Sequence, residues 1–263
     1  KAFDAIKKIK WNGQEACYAS QELKKTFQQK QGNSADINFN LIQLLKKLGL
    51  KSYPVLFSTR NNGRISKYSP TLNKFNYVIA AVELSNGKFY LDATDEFIPF
   101  GMSTERILGC IGHAVEENKG DCSVFIEPLK KQKKSTYSQF NVDSTGNYTG
   151  TISIKRFDYN GVDFKSYLKS KPDHESYIQE LESENSGWNI NKFRFSDLYD
   201  LNNDFIENYD VSFNSSIGNN ELLIINPFVL IKSKQNPFQK DKRYLPVSFP
   251  QQTEYTSIIT INI

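Results

Sequence analysis

An apolar stripe at helical spacing constrains the first half of this 263-residue chain more than any other feature. Between residues 35 and 48, large apolar side chains recur three or four positions apart, at Ile37, Leu41, Leu44, Leu45 and Leu48. This spacing predicts an amphipathic helix with one buried face. Asn33 or Ser34 is a preferred N-cap, and Gly49 supplies a C-terminal stop. We therefore expect a buried central helix.

Strand patterns surround this helix. Residues 53–58, 76–84 and 88–92 read as strands, and Ser85-Asn86-Gly87 separates the last two. Asn-Gly between apolar runs is a strong hairpin signal, because both residues tolerate positive φ. Residues 14–30 show helical spacing at Ala16, Ala19, Leu23 and Phe27, and they predict a further helix. The first half is thus expected to be α+β, with a central helix packed on an antiparallel sheet.

The second half reads as a β-rich domain. A hairpin is predicted at residues 138–143 and 148–156, followed by a helix over residues 162–182. Short strands are expected at residues 192–196, 209–214, 221–225, 228–232 and 256–263, with turn signals at Gly218-Asn219-Asn220 and Asn236-Pro237. We place the domains at 1–126 and 127–263, and interpret Lys130, Lys131, Lys133 and Lys134 as a solvated linker. The chain begins at Lys1 and ends on an apolar strand, so we expect the natural protein to extend beyond both ends.

Composition excludes several function classes. The net charge of +4 is mild and dispersed, which argues against nucleic-acid binding. No apolar run approaches the roughly 20 residues of a membrane helix. Of the three cysteines, Cys110 and Cys122 flank His113, but a closed zinc site needs four ligands, so ordinary thiols are expected. We expect no metal and no cofactor.

Three positions suggest an inherited catalytic site. Ser34 stands at the start of the central helix, where the helix dipole favours an anionic nucleophile. Tyr77 lies on the first hairpin strand and Asp92 ends the second, so the two should lie close together. A serine nucleophile needs a base, and a phenol with a pKa near 10 is a poor one. Taken singly, the three residues also suit a helix cap, a strand aromatic and a turn cap.

Together, these residues resemble the transglutaminase-like superfamily, most closely the transglutaminase-domain proteins of Bacteroidetes. The similarity covers roughly residues 10–115. Gly32-Asn33-Ser34-Ala35-Asp36 is similar to the family's Gly-Asp-Cys-Lys-Asp, and Phe75-Asn76-Tyr77-Val78 to its Phe-Asn-His-Val. Leu91-Asp92-Ala93-Thr94 matches the family's aspartate block in full. Ser34 and Tyr77 thus replace the cysteine and histidine of the triad.

The resemblance carries further expectations. It implies a papain-like core, a weaker similarity around Asn236-Pro237-Phe238 and Arg243-Tyr244-Leu245-Pro246-Val247, and export to the periplasm or cell surface. It also marks Asn33, Asn76 and Arg60 as candidates for binding a ligand in the former substrate cleft. No catalytic residue set is intact, because two of the three triad positions depart from the family.

Three hypotheses remain open from the sequence. The favoured one is a catalytically inactive transglutaminase-like protein that holds a peptide or protein segment as a binding or scaffolding module. The second is an active hydrolase with Ser34 as nucleophile and Tyr77, or a residue of an absent domain, as base. The third is a structural or carbohydrate-associated surface module. Losing nucleophile and base together should remove nearly all catalysis, which favours the first.

Overall fold

The computed structural model describes residues 1–66, 71–116, 122–185, 187–213, 242 and 247–263. The chain divides into two compact units, Lys1–Leu129 and Lys130–Ile263. The predicted strands at 221–225 and 228–232, and both turn signals near them, lie outside the described residues, as do Asn236-Pro237-Phe238 and residues 243–246.

The first unit is built from three helices and seven strands within its described residues. The helices are α1 (Ala2–Ile6), α2 (Leu23–Gln29) and α3 (Ser34–Lys47), with short 3-10 turns at Leu72–Lys74 and Glu105–Ile107. The strands are β1 (Lys10–Trp11), β2 (Gln31–Gly32), β3 (Lys51–Phe57), β4 (Tyr77–Leu84), β5 (Gly87–Leu91), β6 (Ile111–Ala114) and β7 (Ser123–Phe125).

Helix α3 is the predicted central helix, shifted by one residue. Asn33 is its N-cap, and a capping box joins Asn33 to Asp36 by reciprocal side chain to backbone hydrogen bonds. The helix packs Ile37, Leu41 and Leu45 of its apolar stripe in one buried cluster with Ala80 of β4. Leu48, the predicted end of the stripe, follows the helix and is exposed. Burial of this stripe, rather than helix propensity, fixes the helix in place.

The sheet under α3 has the strand order β5-β4-β3-β6-β7, and every neighbouring pair is antiparallel. The hairpin predicted from Asn86-Gly87 is confirmed, because β4 pairs with β5 up to the Leu84–Gly87 register. Gly87 has a φ of 136°, which an L residue rarely adopts. Strands β1 and β2 form a separate two-stranded parallel pair.

The helix predicted over residues 14–30 is wrong in its first half. Only α2 is helical, and residues 14–22 are irregular. Phe27 is exposed, whereas Thr26 is the fully buried residue of α2. The backbone of residues 14–20 instead hydrogen-bonds the start of α3, and these long-range bonds replace helical ones.

Within its described residues, the second unit consists of a five-stranded sheet and two helices. Its strand order is β10-β11-β9-β8-β12, antiparallel except for the parallel pair β8 and β12. The strands are β8 (Gln132–Val142), β9 (Tyr148–Phe157), β10 (Trp188–Phe195), β11 (Phe205–Phe213) and β12 (Thr253–Asn262); the helices are α4 (Asp158–Ser170) and α5 (His174–Glu184). Its core includes Phe140, Ile152 and Tyr209.

Two expectations for the second unit need correction. The single helix over residues 162–182 is two helices, because Pro172 interrupts it and Asp173 caps α5 by accepting a hydrogen bond from the Ser176 N–H. The basic cluster is not a solvated linker throughout: Lys133 and Lys134 lie within β8, and the Lys134 side chain is partly buried.

The predicted α+β class is confirmed, with a central helix on an antiparallel sheet followed by a β-rich unit. Across the described ranges, no helix combines the length and apolarity needed to cross a membrane.

Candidate functional site

The aspartate and tyrosine of the predicted site are in direct contact. The hydroxyl of Tyr77 donates a 2.7 Å hydrogen bond to Oδ2 of Asp92, and lies 3.0 Å from Oγ1 of Thr94. Tyr77 opens β4 and Asp92 directly follows β5, so the Asn-Gly hairpin sets their pairing. Both side chains are fully buried. Tyr77 thus hydrogen-bonds directly to the aspartate of the predicted site.

Asn38 connects this pair to the central helix. Its Nδ2 donates to Oδ1 of Asp92 at 3.0 Å and to the backbone oxygen of Val78 at 2.9 Å, while its Oδ1 accepts from the Ala93 N–H at 2.9 Å. The Thr94 N–H adds another bond to Asp92 Oδ1. Asp92 therefore accepts three hydrogen bonds in a fully buried setting, and these supply the donors that a buried carboxylate needs.

Burial keeps the Tyr77 hydroxyl protonated. Loss of solvation raises the pKa of Tyr77 well above its ordinary value, and the negative charge of Asp92 raises it further. A phenol that already donates its proton to a carboxylate cannot accept another from a nucleophile. Tyr77 therefore cannot take the part of a general base at neutral pH.

Ser34, the residue in the nucleophile position, is held by the backbone of Ala16. Its Oγ accepts a hydrogen bond from the Ala16 N–H at 2.8 Å and donates one to the Ala16 carbonyl at 2.9 Å. The Ser34 N–H also donates to the Gln14 carbonyl. The side chain is fully buried. Within the described part of the chain, Ser34 makes no hydrogen bond to Tyr77.

Residues 12–20, which we name the strap, cover the start of α3. Asn33 Nδ2 donates to the Tyr18 carbonyl at 3.1 Å. The Asp36 carboxylate accepts from both the N–H and the hydroxyl of Ser20, at 2.8 and 2.6 Å. The first helical turn of α3 thus directs its polar groups at the strap. Asn33, a predicted ligand-binding residue, is engaged by the chain itself.

The second predicted ligand-binding residue, Asn76, is also engaged by the strap. The Glu15 carboxylate accepts from Asn76 Nδ2 at 2.8 Å and from the Thr59 hydroxyl at 2.9 Å. Asn76 Oδ1 in turn accepts from the Thr59 N–H. Arg106 lies 3.8 Å from Glu15 and stacks 4.3 Å above the Trp11 ring. Together these contacts hold the Glu15 carboxylate in place.

The third predicted ligand-binding residue, Arg60, donates from Nη1 to the Leu108 carbonyl at 3.0 Å, so it supports a loop next to the sheet.

His113, one of two histidines, lies on β6 with its ring edge-on to Phe75. Cys17, Cys110 and Cys122 are free thiols. No group of three His, Cys, Asp or Glu side chains that could hold a metal occurs among the described residues.

Sequence reasoning missed two parts of this arrangement, the bridging role of Asn38 and the strap. One signal was available for the helix start. A Cβ on Gly32 would lie 2.7 Å from Asp36 Cβ and 2.9 Å from Thr26 Cγ2, so glycine is needed for this close approach. Gly32 and Asp36 of this pattern are therefore accounted for by packing and by the capping box.

Comparisons with known proteins assign no family to this chain. No protein-family model matches the chain, and no curated protein matches it. One solved structure, a "putative protease" from Parabacteroides distasonis, is 9% identical with a TM-score of 0.34. The alignment covers 74% of this chain and 40% of that one, so this chain spans less than half of the neighbour's length. A likeness at this level establishes neither a family nor an activity.

Proposed function

We propose that the first unit is a catalytically inactive transglutaminase-like module, and that the chain works as a peptide- or protein-binding or scaffolding module of the cell envelope. The observation that carries the proposal is the engagement of Ser34 Oγ by both backbone groups of Ala16. While the strap is in place, a hydroxyl whose proton and lone pair are both used in this contact is not available to attack a substrate.

The state of the other two positions supports the same conclusion. Tyr77 donates to Asp92 and keeps its proton, so the residue at the predicted histidine position does not serve Ser34 as a base. Acyl transfer by a serine needs such a base, and losing triad members lowers the rate by several orders of magnitude. The surviving aspartate stabilises a buried hydrogen-bond network, which gives it a structural role.

The active-hydrolase alternative receives no support from the described geometry. It requires a base within hydrogen-bond reach of Ser34. His113 lies on β6 against Phe75, and His174 begins a helix of the other unit, where its ring contacts Phe195. A residue from outside this chain would also have to displace the strap before it reached the hydroxyl.

A structural or carbohydrate-associated surface module is the second candidate function. It is favoured by one observation on the second unit: Tyr137 of β8 and Tyr255 of β12 are about half exposed. Exposed aromatic rings on a sheet can stack on sugar rings. We would test it by co-sedimentation with insoluble polysaccharides, where loss of binding on Tyr137→Ala would favour this candidate over the first.

The proposal of inactivity is tested by turnover. Purified protein is assayed against fluorogenic amide and peptide substrates, beside Ser34→Ala and an active cysteine protease as a positive control. We expect no turnover above background from either form. Activity that is present in the natural sequence and absent in Ser34→Ala would reject the proposal. Fractionation of the host cell tests the envelope location separately.

A further inference from the structure

We propose that the strap, residues 12–20, is a detachable cover over a peptide-binding site at the start of α3, and that a peptide carrying a carboxylate side chain displaces it. This inference rests on the proposed binding function and deepens it by naming a site and a class of ligand. Four features of the strap carry the argument.

The strap contacts α3 as a bound peptide would. Ala16 of the strap binds the Ser34 hydroxyl with both its backbone N–H and its carbonyl. Two residues further on, the Tyr18 carbonyl accepts from Asn33 Nδ2. These contacts use backbone groups of the strap, which every peptide has, so they can bind a peptide whatever its side chains.

Glu15 supplies the contact that depends on a side chain. Its carboxylate lies between the Asn76 amide and the Thr59 hydroxyl, with the Arg106 guanidinium 3.8 Å away. Two neutral donors and a nearby cation form a site that favours a carboxylate over a neutral group. A displacing peptide therefore needs Glu or Asp one position before the residue that meets Ser34.

The strap is weakly packed. Among its residues only Cys17 is buried, with its thiol donating to the Phe75 carbonyl at 3.3 Å. Gly13, near its beginning, has a φ of 87° and open space around it. Segments with few buried apolar contacts open more often than the whole fold. The strap can therefore leave α3 while the core of Ile37 and Leu41 stays folded.

Cys17 provides a direct reporter of strap opening, because detachment exposes a thiol that is otherwise buried. The background variant Cys110→Ser with Cys122→Ser leaves Cys17 as the one thiol of this chain. Its labelling by a thiol reagent is followed at several low urea concentrations, beside global unfolding measured by circular dichroism. We expect labelling that is faster than global unfolding allows and that depends weakly on urea.

A matched pair of variants tests the carboxylate contact. Glu15→Gln should raise the labelling rate of Cys17 about tenfold, because it removes a charge-assisted bond that holds the strap closed. Glu22→Gln is the control, since the Glu22 side chain makes no capping bond and is exposed. It should leave the rate unchanged.

Competition tests the ligand class. A synthetic peptide of residues 12–20, with serine at the cysteine position, should accelerate Cys17 labelling as its concentration rises, and the same peptide with glutamine for glutamate should do so less. Labelling that follows global unfolding, or a peptide with no effect, would overturn the inference. Neither result measures turnover, so the proposed inactivity is tested separately by the turnover assay.

Discussion

The Tyr77 hydroxyl lies 2.7 Å from Oδ2 of Asp92 and donates its proton to that oxygen, with both side chains fully buried. The same hydroxyl joins a buried hydrogen-bond network with Asn38 and Thr94. Both oxygens of the Asp92 carboxylate thereby have a hydrogen-bond donor.

This bond should contribute measurably to stability. Tyr77→Phe removes the hydroxyl and leaves one Asp92 oxygen without its donor, so we expect a loss of about 1–3 kcal/mol in the free energy of unfolding. Tyr90→Phe is the matched control on the neighbouring strand, and it should change stability by a few tenths of that amount. Urea unfolding of the three proteins measures both. Equal effects of the two substitutions would contradict the assigned role of the hydroxyl.

The same tyrosine predicts a dependence on alkaline pH. The folded pKa of Tyr77 is raised well above its ordinary value of 10.0, so the unfolded chain loses this proton first. Its stabilising contribution is therefore complete below pH 10 and is lost as the pH rises towards the folded pKa. Between pH 10 and about 11.5, Tyr77→Phe should lose stability less steeply than the natural sequence, by about 1.4 kcal/mol per pH unit. Parallel slopes would show that Tyr77 ionises freely in the fold.

The close packing around the first turn of α3 requires glycine at position 32. A methyl group there would press on Asp36 and Thr26, both buried, so Gly32→Ala should cost about 1–3 kcal/mol by overpacking. Gly49→Ala serves as a contrast, because it meets open space and suffers only from its positive φ of 78°. We expect Gly32→Ala to reduce the midpoint of thermal unfolding more than Gly49→Ala does. It should also loosen the strap, which would be measured as faster labelling of Cys17.

How far the sequence could predict this arrangement depended on the range of the interactions. Local signals were enough for α3 and for the β4–β5 hairpin, and the hairpin in turn placed Tyr77 beside Asp92. The strap could not be foreseen, because the Ser34 hydroxyl bonds backbone groups of Ala16, 18 positions away in the sequence. Helical spacing in residues 14–22 was outweighed by those contacts.

The second unit shows the same limit. The split between α4 and α5 had a local cause in Pro172, which the helical periodicity concealed. The parallel pairing of β12 with β8 joins segments more than a hundred residues apart, and no local pattern specifies it. The sequence pattern therefore indicated individual strands such as β9 and β12, but it did not indicate how the strands pair in the sheet.

A buried ion pair in the second unit gives an independent prediction. Glu207 is fully buried and accepts hydrogen bonds from Arg156 and from the Tyr209 hydroxyl. Glu207→Gln leaves the Arg156 charge without its partner, and such a loss typically costs about 3–5 kcal/mol. Glu254→Gln removes a partly exposed carboxylate that contacts Lys131, and it should have a far smaller effect. Thermal unfolding that ranks the two equally would contradict the buried role of Glu207.

The most direct test of the central claim is the chemical reactivity of Ser34. The purified protein is treated with a serine-directed covalent probe under conditions that fully label a control serine hydrolase, and the peptide containing Ser34 is examined by mass spectrometry. Because its hydroxyl is engaged by Ala16 and lacks a base, we expect that peptide to remain unmodified. Stoichiometric labelling of Ser34, absent from Ser34→Ala, would show a working nucleophile and contradict the account.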